Sequence, residues 1–482
     1  MKARPGLRDH HGTEDDEGLI KQLDALFHPR SVAVVGVPRE MKSGKIFLMG
    51  LLDQGFPGPI YPVHPIAKEI DGLKAYPTIS AIPGPVDLAI VLVPHHATLS
   101  VIQECAAKGV KGAVLFTAGY KETGTERGKA LEEELLRVTT SSGMRLIGPN
   151  CMGFYSPKSN LSFFPQLSTE PGHVGIISHS GSLTNILGRM ASRKGIRFSK
   201  VASLGNECDL NSTDFLVYLG KDPETHLIGA YLESIKEGPR FLRALKEVSL
   251  EKPVILWKAG LTTEGSQAAA SHTGAIASSR EIWEGVVRQG GATPVVGFED
   301  WVDMLMGFSL LRSGLGDRIA IVSGPGGLAV SAADTCGFVG LRLAELSPQT
   351  RSVLGKFIPP TGTSLRNPID VGFTAVLDIE IYNQSARTAA SDPGVDTVLV
   401  IGHAMTPDAN KLYLESMIQA RDDLQKPFMM VGIPGFESDL GKHFCDAGIP
   451  FFESAERALA TYARVRKYQL WRKRRMVSHA RG

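Results

Sequence analysis

Short apolar runs ending on glycine or proline alternate along this chain with longer amphipathic stretches. Ser31–Gly36 (SVAVVG), His173–Gly181 (HVGIISHSG) and Arg318–Gly327 (RIAIVSGPGG) each read as a buried strand, a small-residue turn and the start of a helix. More strands are predicted at PIYPVHP, VDLAIVLVP, GAVLFTAG and RLIGP, then at FSKVASLG, LIGAYLES and PVILWKAG, and finally at TVLVIGHA, PFMMVGIP and IPFFES. Helical patterns such as ATLSVIQECAAKG and ERGKALEEELLRVTTSSG fall between them. Apolar strands alternating with helices predict parallel sheets covered on both faces, hence doubly wound α/β domains. Pro/Gly/Ser-rich stretches at Ser156–Gly172 and Arg312–Asp317 mark the boundaries. The expected organisation is a disordered charged leader over 1–23, α/β domains over 24–155, 172–312 and 316–470, and a basic tail over 471–482.

Composition narrows the partners. With 52 Lys plus Arg against 50 Asp plus Glu, nothing in the overall charge argues for nucleic acid or an anionic membrane. Cys105, Cys151, Cys208, Cys336 and Cys445 are scattered and form no CxxC pair, which fits a reducing, cytoplasmic setting without a disulfide framework. No apolar run reaches the ~18 residues of a membrane span, and the first residues lack the apolar core of a signal peptide. His95 and His96 are adjacent, with no carboxylate or third histidine nearby, so no metal site is expected.

The stretch of greatest chemical interest is Gln267–Ser279, QAAASHTGAIASS. His272 there is surrounded by Ala, Ser, Thr and Gly, so a loop carrying it would let backbone amides and a bulky anion come close. That suits a nucleophile accepting a phosphoryl group. Local composition fits a flexible Ala/Ser linker equally well. Glu207, in Gly205-Asn206-Glu207 at a strand end, is either a functional acid or a surface acid capping the next helix. Ser180, Gly181 and Ser182 open the helix after HVGIISHSG and, with Gly274, are expected to seat a phosphoryl group at a helix N-terminus.

In an open parallel sheet, ligands bind at the carboxyl ends of the strands. In the first domain those ends carry Gly36, Val63, Pro65, Val93, Pro94, Thr117, Ala118, Gly119 and Asn150. The loop GVPREMKSGKIF adds Ser43, Gly44 and Lys45, with Lys42, ahead of a helix; amides and two ammonium groups make a phosphate cradle. It is neither GxGxxG nor a Walker loop, and the second strand ends in Val63-His64-Pro65 without a ribose-binding acid. A nicotinamide dehydrogenase is therefore disfavoured, and a ligand with a long thin tail fits better.

The motifs LFHPRSVAVVG, YPVHP, VDLAIVLVP, KGAVLFTAG, LIGPNCMG, VGIISHSGSL, SLGNECDL, WKAG and ASHTGA give the chain a resemblance, over about Leu26 to Leu470, to the α subunit of NDP-forming acyl-CoA synthetases. ADP-forming acetate–CoA ligase and its succinyl-CoA synthetase relatives are the nearest in pattern. The resemblance implies a Rossmann-like CoA-binding domain followed by two flavodoxin-like, succinyl-CoA synthetase-like domains. It further implies coenzyme A on the first domain, phosphorylation of His272, and Glu207 as that histidine's partner. The pattern departs from the family at His179, where Gln is frequent between the two serines, at His64-Pro65 in place of Asn-Pro, and at Pro38 in place of Ser. Nothing in the chain resembles an ATP-grasp nucleotide site. The resemblance thus implies a β subunit of that fold carrying ATP/ADP and Mg2+, in an α2β2 assembly, with a small carboxylic acid or acyl-CoA and phosphate as reactants. The alternative is a non-catalytic CoA- or acyl-CoA-binding regulatory protein.

Overall fold

The computed structural model describes residues 13–273, 279–311, 314–360, 362–435 and 439–479. Where the sequence suggests three separate domains, the chain folds into two compact units, Met1–Arg189 with Arg197–Val296, and Met190–Ile196 with Gly297–Gly482.

The first unit contains two sheets. Its first strands are β1 (Val32–Val35), β2 (Ile60–Val63), a side hairpin of β3 (Glu69–Ile70) and β4 (Leu73–Lys74), then β5 (Leu88–Val91), β6 (Gly112–Leu115) and β7 (Arg145–Ile147). They form a five-stranded sheet in the order β2-β1-β5-β6-β7, every pair parallel. Chain direction across the sheet reverses at β1, so the crevice between the ends of β1 and β5 is the topological switch point. The second sheet comprises β8 (Gly153–Tyr155), β9 (Val174–Ser178), β10 (Phe198–Ser203), β11 (Leu227–Leu232), β12 (Val254–Lys258) and β13 (Thr293–Val295). Its order is β13-β12-β11-β9-β10-β8, parallel except where β8 runs against β10. The strand Gly153–Tyr155, placed by the sequence reading at the end of the first domain, is therefore an edge of the second sheet.

The expected disordered leader is helical from Thr13 onward: α1 spans Thr13–Phe27. Leu19, Leu23, Leu26 and Phe27 fall on one stripe and are buried, an amphipathic pattern that the acidic residues between them obscure. Phe27 stacks on Tyr218 at 5.5 Å and meets Phe154 at 4.5 Å. Tyr218 belongs to α6 (Ser212–Lys221), which opens with a reciprocal cap between Asn211 and Asp214. Arg145 of β7 holds Asp209 with two side-chain bonds, at 2.9 and 3.0 Å. These contacts fuse the two sheets into one body.

The second unit has its own sheet of β14 (Arg318–Ser323), β15 (Arg342–Leu343), β16 (Ile369–Asp370), β17 (Thr397–Ile401), β18 (Phe428–Val431) and β19 (Phe451–Phe452), in the order β15-β14-β17-β18-β19 with β16 also on β14. The helix Phe298–Leu310, assigned by the sequence to the middle domain, packs here instead, against the long helix Ala455–His479. Arg457 grips Asp303 at 2.6 Å and Phe308 meets Tyr468 at 5.4 Å. The basic tail expected from 471 continues that helix through His479.

One buried ion cluster tests the packing of the second sheet. Lys200 of β10, 1% exposed, bonds both oxygens of Asp222 at 3.0 Å and Glu224 at 2.7 Å. Lys200→Ala leaves the buried Asp222 carboxylate without its cation, while Glu224 keeps Lys158, a loss expected to destabilise the first unit by about 3–5 kcal/mol. The check is a urea denaturation midpoint, which should fall clearly below wild type; an unchanged midpoint contradicts the assignment.

Candidate functional site

The carboxyl edge of the second sheet gathers charged groups from four neighbouring strands. Lys258 ends β12, Glu233 follows β11, His179 follows β9 and Glu207 lies in the turn after β10. All four are buried. Lys258 Nζ donates to the Glu233 carbonyl at 2.9 Å, and burial lowers the lysine's tendency to hold its proton. His179 is fixed at both ring nitrogens. Its Nδ1 accepts the backbone N–H of Glu233 at 3.1 Å, and its Nε2 lies 3.0 Å from Glu207 Oε1. A nitrogen that accepts an amide hydrogen carries no proton of its own, so the ring proton belongs on Nε2 and is donated to Glu207.

Glu207 is 2% exposed. Its Oε1 also accepts the Ser212 N–H at 2.6 Å, whereas its Oε2 is buried without a hydrogen-bond partner among the described residues. Burial alone would raise the pKa of this carboxyl. The His179 ring, Lys236 and the Ser212 amide outweigh that and hold it below the usual carboxylate range. Lys236 also donates to the Glu207 carbonyl. Of the two sequence readings, the surface acid is thus excluded, though Glu207 does meet the first amide of α6.

Backbone geometry puts the carboxylate there. Glu207 has φ 54° and Gly205 φ 56°, two left-handed residues within three positions. The turn docks on the first sheet: Asn206 N–H donates to the Pro149 carbonyl at 3.0 Å and Cys208 N–H to that of Gly148 at 2.9 Å. A Cβ on Gly205 would lie 2.2 Å from the Pro149 oxygen. The Asn206 side chain reaches Glu122 at 2.5 Å and Glu132 at 3.0 Å, and burial raises the Glu132 pKa.

The remaining expected residues divide into three groups. Ser180 caps α5 (Gly181–Ala191), its Oγ accepting Leu183 N–H at 3.3 Å and lying 3.3 Å from Ser182 Oγ. His272, expected on a loop, is in the last turn of a helix, α8 (Thr263–Thr273), which packs on the turn Lys121–Thr123 beside the first sheet. The run Ala268–Ala270 explains the difference, because alanine is the strongest helix former. The imidazole of His272 and all of Gly274 lie outside the described residues.

On the first sheet, Gly36 has φ 82° and a Cβ there would meet Val93 Cγ1 at 2.7 Å, so glycine keeps the edge between β1 and β5 open. Val63 and Pro65 follow or end β2, Pro94 caps the helix His95–Lys108, and Thr117 bonds the Val93 carbonyl at 2.6 Å and accepts Asn150 N–H at 3.1 Å through its own carbonyl. Ala118 lies between Thr117 and Gly119 after β6. Ser43 and Gly44 precede the helix Lys45–Asp53 as expected. Two expectations change. Lys45 is buried and its ammonium holds Asp71 at 2.8 Å, so the proposed cradle keeps one lysine, Lys42. The Gly119 amide already donates to Glu122 at 2.6 Å. The residues missed by sequence reasoning are His179, Lys236, Glu233 and Asp71. Only His179 carried a signal, as an ionisable residue where the resembled pattern has an amide.

Comparison with known proteins adds to this geometry. The CoA binding domain family matches residues 30–157, the succinyl-CoA ligase-like flavodoxin domain family 171–308, and the ligase-CoA domain family 319–425. The α subunit of ADP-forming acetate–CoA ligase II from Pyrococcus furiosus is 37% identical over 424 residues, covering 86% of this chain and 91% of that subunit. ADP-forming acetate–CoA ligase I from Archaeoglobus fulgidus is 35% identical over 86% of this chain, which spans only 61% of that longer protein. The fold matches the solved acetyl-coenzyme A synthetase 1 of Candidatus Korarchaeum cryptofilum, in complex with phosphate and ADP, with TM-score 0.83, 35% identity, and coverage of 95% and 98% of the two chains.

Two measurements test the geometry of the turn. Gly205→Ala combines a left-handed backbone, costing about 1–2 kcal/mol, with a clash against the Pro149 carbonyl; it should lower the melting temperature by several degrees, and an unchanged value contradicts the docking. Because the Glu207 carboxyl is depressed in the folded state, its ionisation contributes stability above the ordinary 4.5, and that contribution is lost as pH falls through the lower folded value. The stability difference between wild type and Glu207→Gln should therefore be largest above pH 4.5 and shrink below it. A difference that grows on acidification contradicts this sign.

Proposed function

We propose that this chain, which belongs to the ADP-forming acetate–CoA ligase family, is the phosphoryl-carrying subunit of an acid–thiol ligase. The reaction interconverts acyl-CoA, ADP and phosphate with carboxylic acid, CoA and ATP. The observation that carries this reading is Glu207: a buried carboxylate held ionised, with one oxygen anchored and the other free of described partners. A protein that only binds CoA has no need of such a group.

In this reading the neutral imidazole of His272 attacks the phosphorus of an acyl phosphate. An N–P bond forms, the P–O bond to the acyl group breaks, and the carboxylate leaves. Glu207 accepts the hydrogen on the other ring nitrogen, fixing the tautomer and stabilising the positive ring that develops. Ser180, Gly181 and Ser182, at the start of α5, supply amides and hydroxyls for the phosphoryl oxygens, with Gly274 beside His272. The phosphoryl group then passes to ADP on a partner subunit of ATP-grasp fold, in an α2β2 assembly, and short acids such as acetate are the substrates.

The carboxyl edge of the first sheet fits coenzyme A, because Gly36 leaves space that any Cβ would fill. Gly36, Ser43, Gly44, Val63, Pro65, Val93, Pro94, Thr117, Ala118, Gly119 and Asn150 would hold it, and its thiol supplies the acyl acceptor. Lys45 contributes by holding Asp71 rather than by meeting phosphate.

The test combines the chain with an ATP-grasp partner and γ-labelled ATP. Wild type should acquire acid-labile, base-stable label, and His272→Ala should acquire none. Equal labelling of the two contradicts the carrier role, and so does an unlabelled wild type. Calorimetric titration should show CoA binding and no NAD binding; the reverse contradicts the assignment of the first sheet.

A further inference from the structure

No step of the proposed reaction uses His64, which stands where the resembled pattern has Asn before the proline. It follows β2 directly after Val63, whose carbonyl accepts the Gly36 N–H at 2.9 Å at the edge proposed for coenzyme A. The His64 N–H donates to the Tyr76 carbonyl at 2.9 Å, which fixes its backbone to the segment leaving the side hairpin. Its ring closes on its own loop. Nδ1 accepts two amides, Ile66 N–H at 3.2 Å and Ala67 N–H at 3.0 Å. A nitrogen that accepts amide hydrogens carries none, so the ring proton belongs on Nε2. Histidine Nδ1 and asparagine Oδ1 both lie one bond beyond Cγ. The imidazole therefore makes the kind of turn that an asparagine side chain makes with the backbone just after it.

Packing does not hold this loop, because Pro65, Ile66, Lys68 and Glu69 are all exposed, Ile66 by 80%. Past Lys68 the chain enters the hairpin β3–β4, and Ala75 N–H returns to the Lys68 carbonyl at 2.9 Å. At the hairpin tip Asp71 holds the buried Lys45 ammonium at 2.8 Å, and that ammonium also reaches the Arg39 carbonyl at 3.4 Å. Arg39 belongs to the loop after β1. The loops after β1 and β2 are thus joined through one hairpin, with Lys45 holding one end of the linkage and His64 the other. We infer that His64 is a positioning residue for coenzyme A. By taking the Ile66 and Ala67 amides on Nδ1, it sets the loop after β2 in the shape that the coenzyme meets. This rests on the coenzyme A reading of the first sheet. A loop already fixed loses less conformational freedom on binding than one that must be ordered by its ligand, and the difference is read as affinity.

Two variants separate this role from a direct contact by the ring. His64→Ala removes the acceptor; His64→Asn keeps one at the same reach and discards the imidazole. In calorimetric titration of the full chain with coenzyme A, the dissociation constant should rise about tenfold in His64→Ala. It should stay within about threefold of wild type in His64→Asn. In the assembled enzyme KM for coenzyme A should follow the same order while kcat stays in place, since binding changes and the transfer step does not. If His64→Ala folds poorly, long-range nitrogen–proton NMR of wild type decides: a bare Nδ1 with the proton on Nε2 supports the role, and a proton on Nδ1 overturns it. Wild-type affinity in His64→Ala overturns the inference alone. So does a His64→Asn as weak as His64→Ala, because affinity then depends on the imidazole and not on the turn it holds. A wild type that binds no coenzyme A overturns the reading of the first sheet and the inference with it.

Discussion

The Gly205–Glu207 turn is clamped to the first sheet by two backbone hydrogen bonds, from Asn206 to Pro149 and from Cys208 to Gly148. Everything else at the site follows from that clamp. It forces left-handed backbone at Gly205 and Glu207, and a turn of that shape drives the glutamate side chain inward, beneath the carboxyl edge of the second sheet. The same clamp makes Asn150, at the edge proposed for CoA, a direct neighbour of the turn. Two sheets that the sequence reads as separate domains therefore act as one body, with the proposed thiol site and the proposed phosphoryl site held at a fixed spacing.

A buried carboxylate is expensive unless it is surrounded by donors, and those on the Glu207 carboxylate come from different elements, His179 after β9 and Ser212 opening α6, while Lys236 after β11 holds the Glu207 carbonyl. This explains why the site lies at the carboxyl ends of parallel strands. Only there do several neighbouring strands deliver side chains and free amides to one point while the sheet beneath supplies rigidity. The backbone of His272 lies in the last turn of α8 rather than on a bare loop.

Much of the fold was legible because its signal is local. Apolar runs ending on glycine located the strands and the turns after them, and Ser180-Gly181-Ser182 did open a helix. What the sequence concealed was non-local. The stripe Leu19, Leu23, Leu26, Phe27 is diluted by acids, and its burial is decided by Phe154 and Tyr218, far along the chain. The helix Phe298–Leu310 precedes the boundary-like RSGLGD but packs beyond it, because Arg457 and Arg464 answer its acids. At the site, Glu207 was recognisable from its motif, whereas its bond to His179 was not, since no spacing rule links positions 28 residues apart on neighbouring strands. Lys45 misled for the opposite reason: a lysine ahead of a helix resembles an anion ligand until Asp71, from the side hairpin, takes it.

The central proposal is that the Glu207 carboxylate partners the ring of His272, the proposed phosphoryl carrier. A crystal structure of the assembled enzyme trapped with His272 phosphorylated tests this most directly. The account predicts Glu207 Oε2 at hydrogen-bond distance, about 2.7–3.2 Å, from the ring nitrogen that bears no phosphoryl group, with His179 still on Oε1. A phosphorylated His272 with that nitrogen bonded elsewhere, and Oε2 still without a partner, would contradict it.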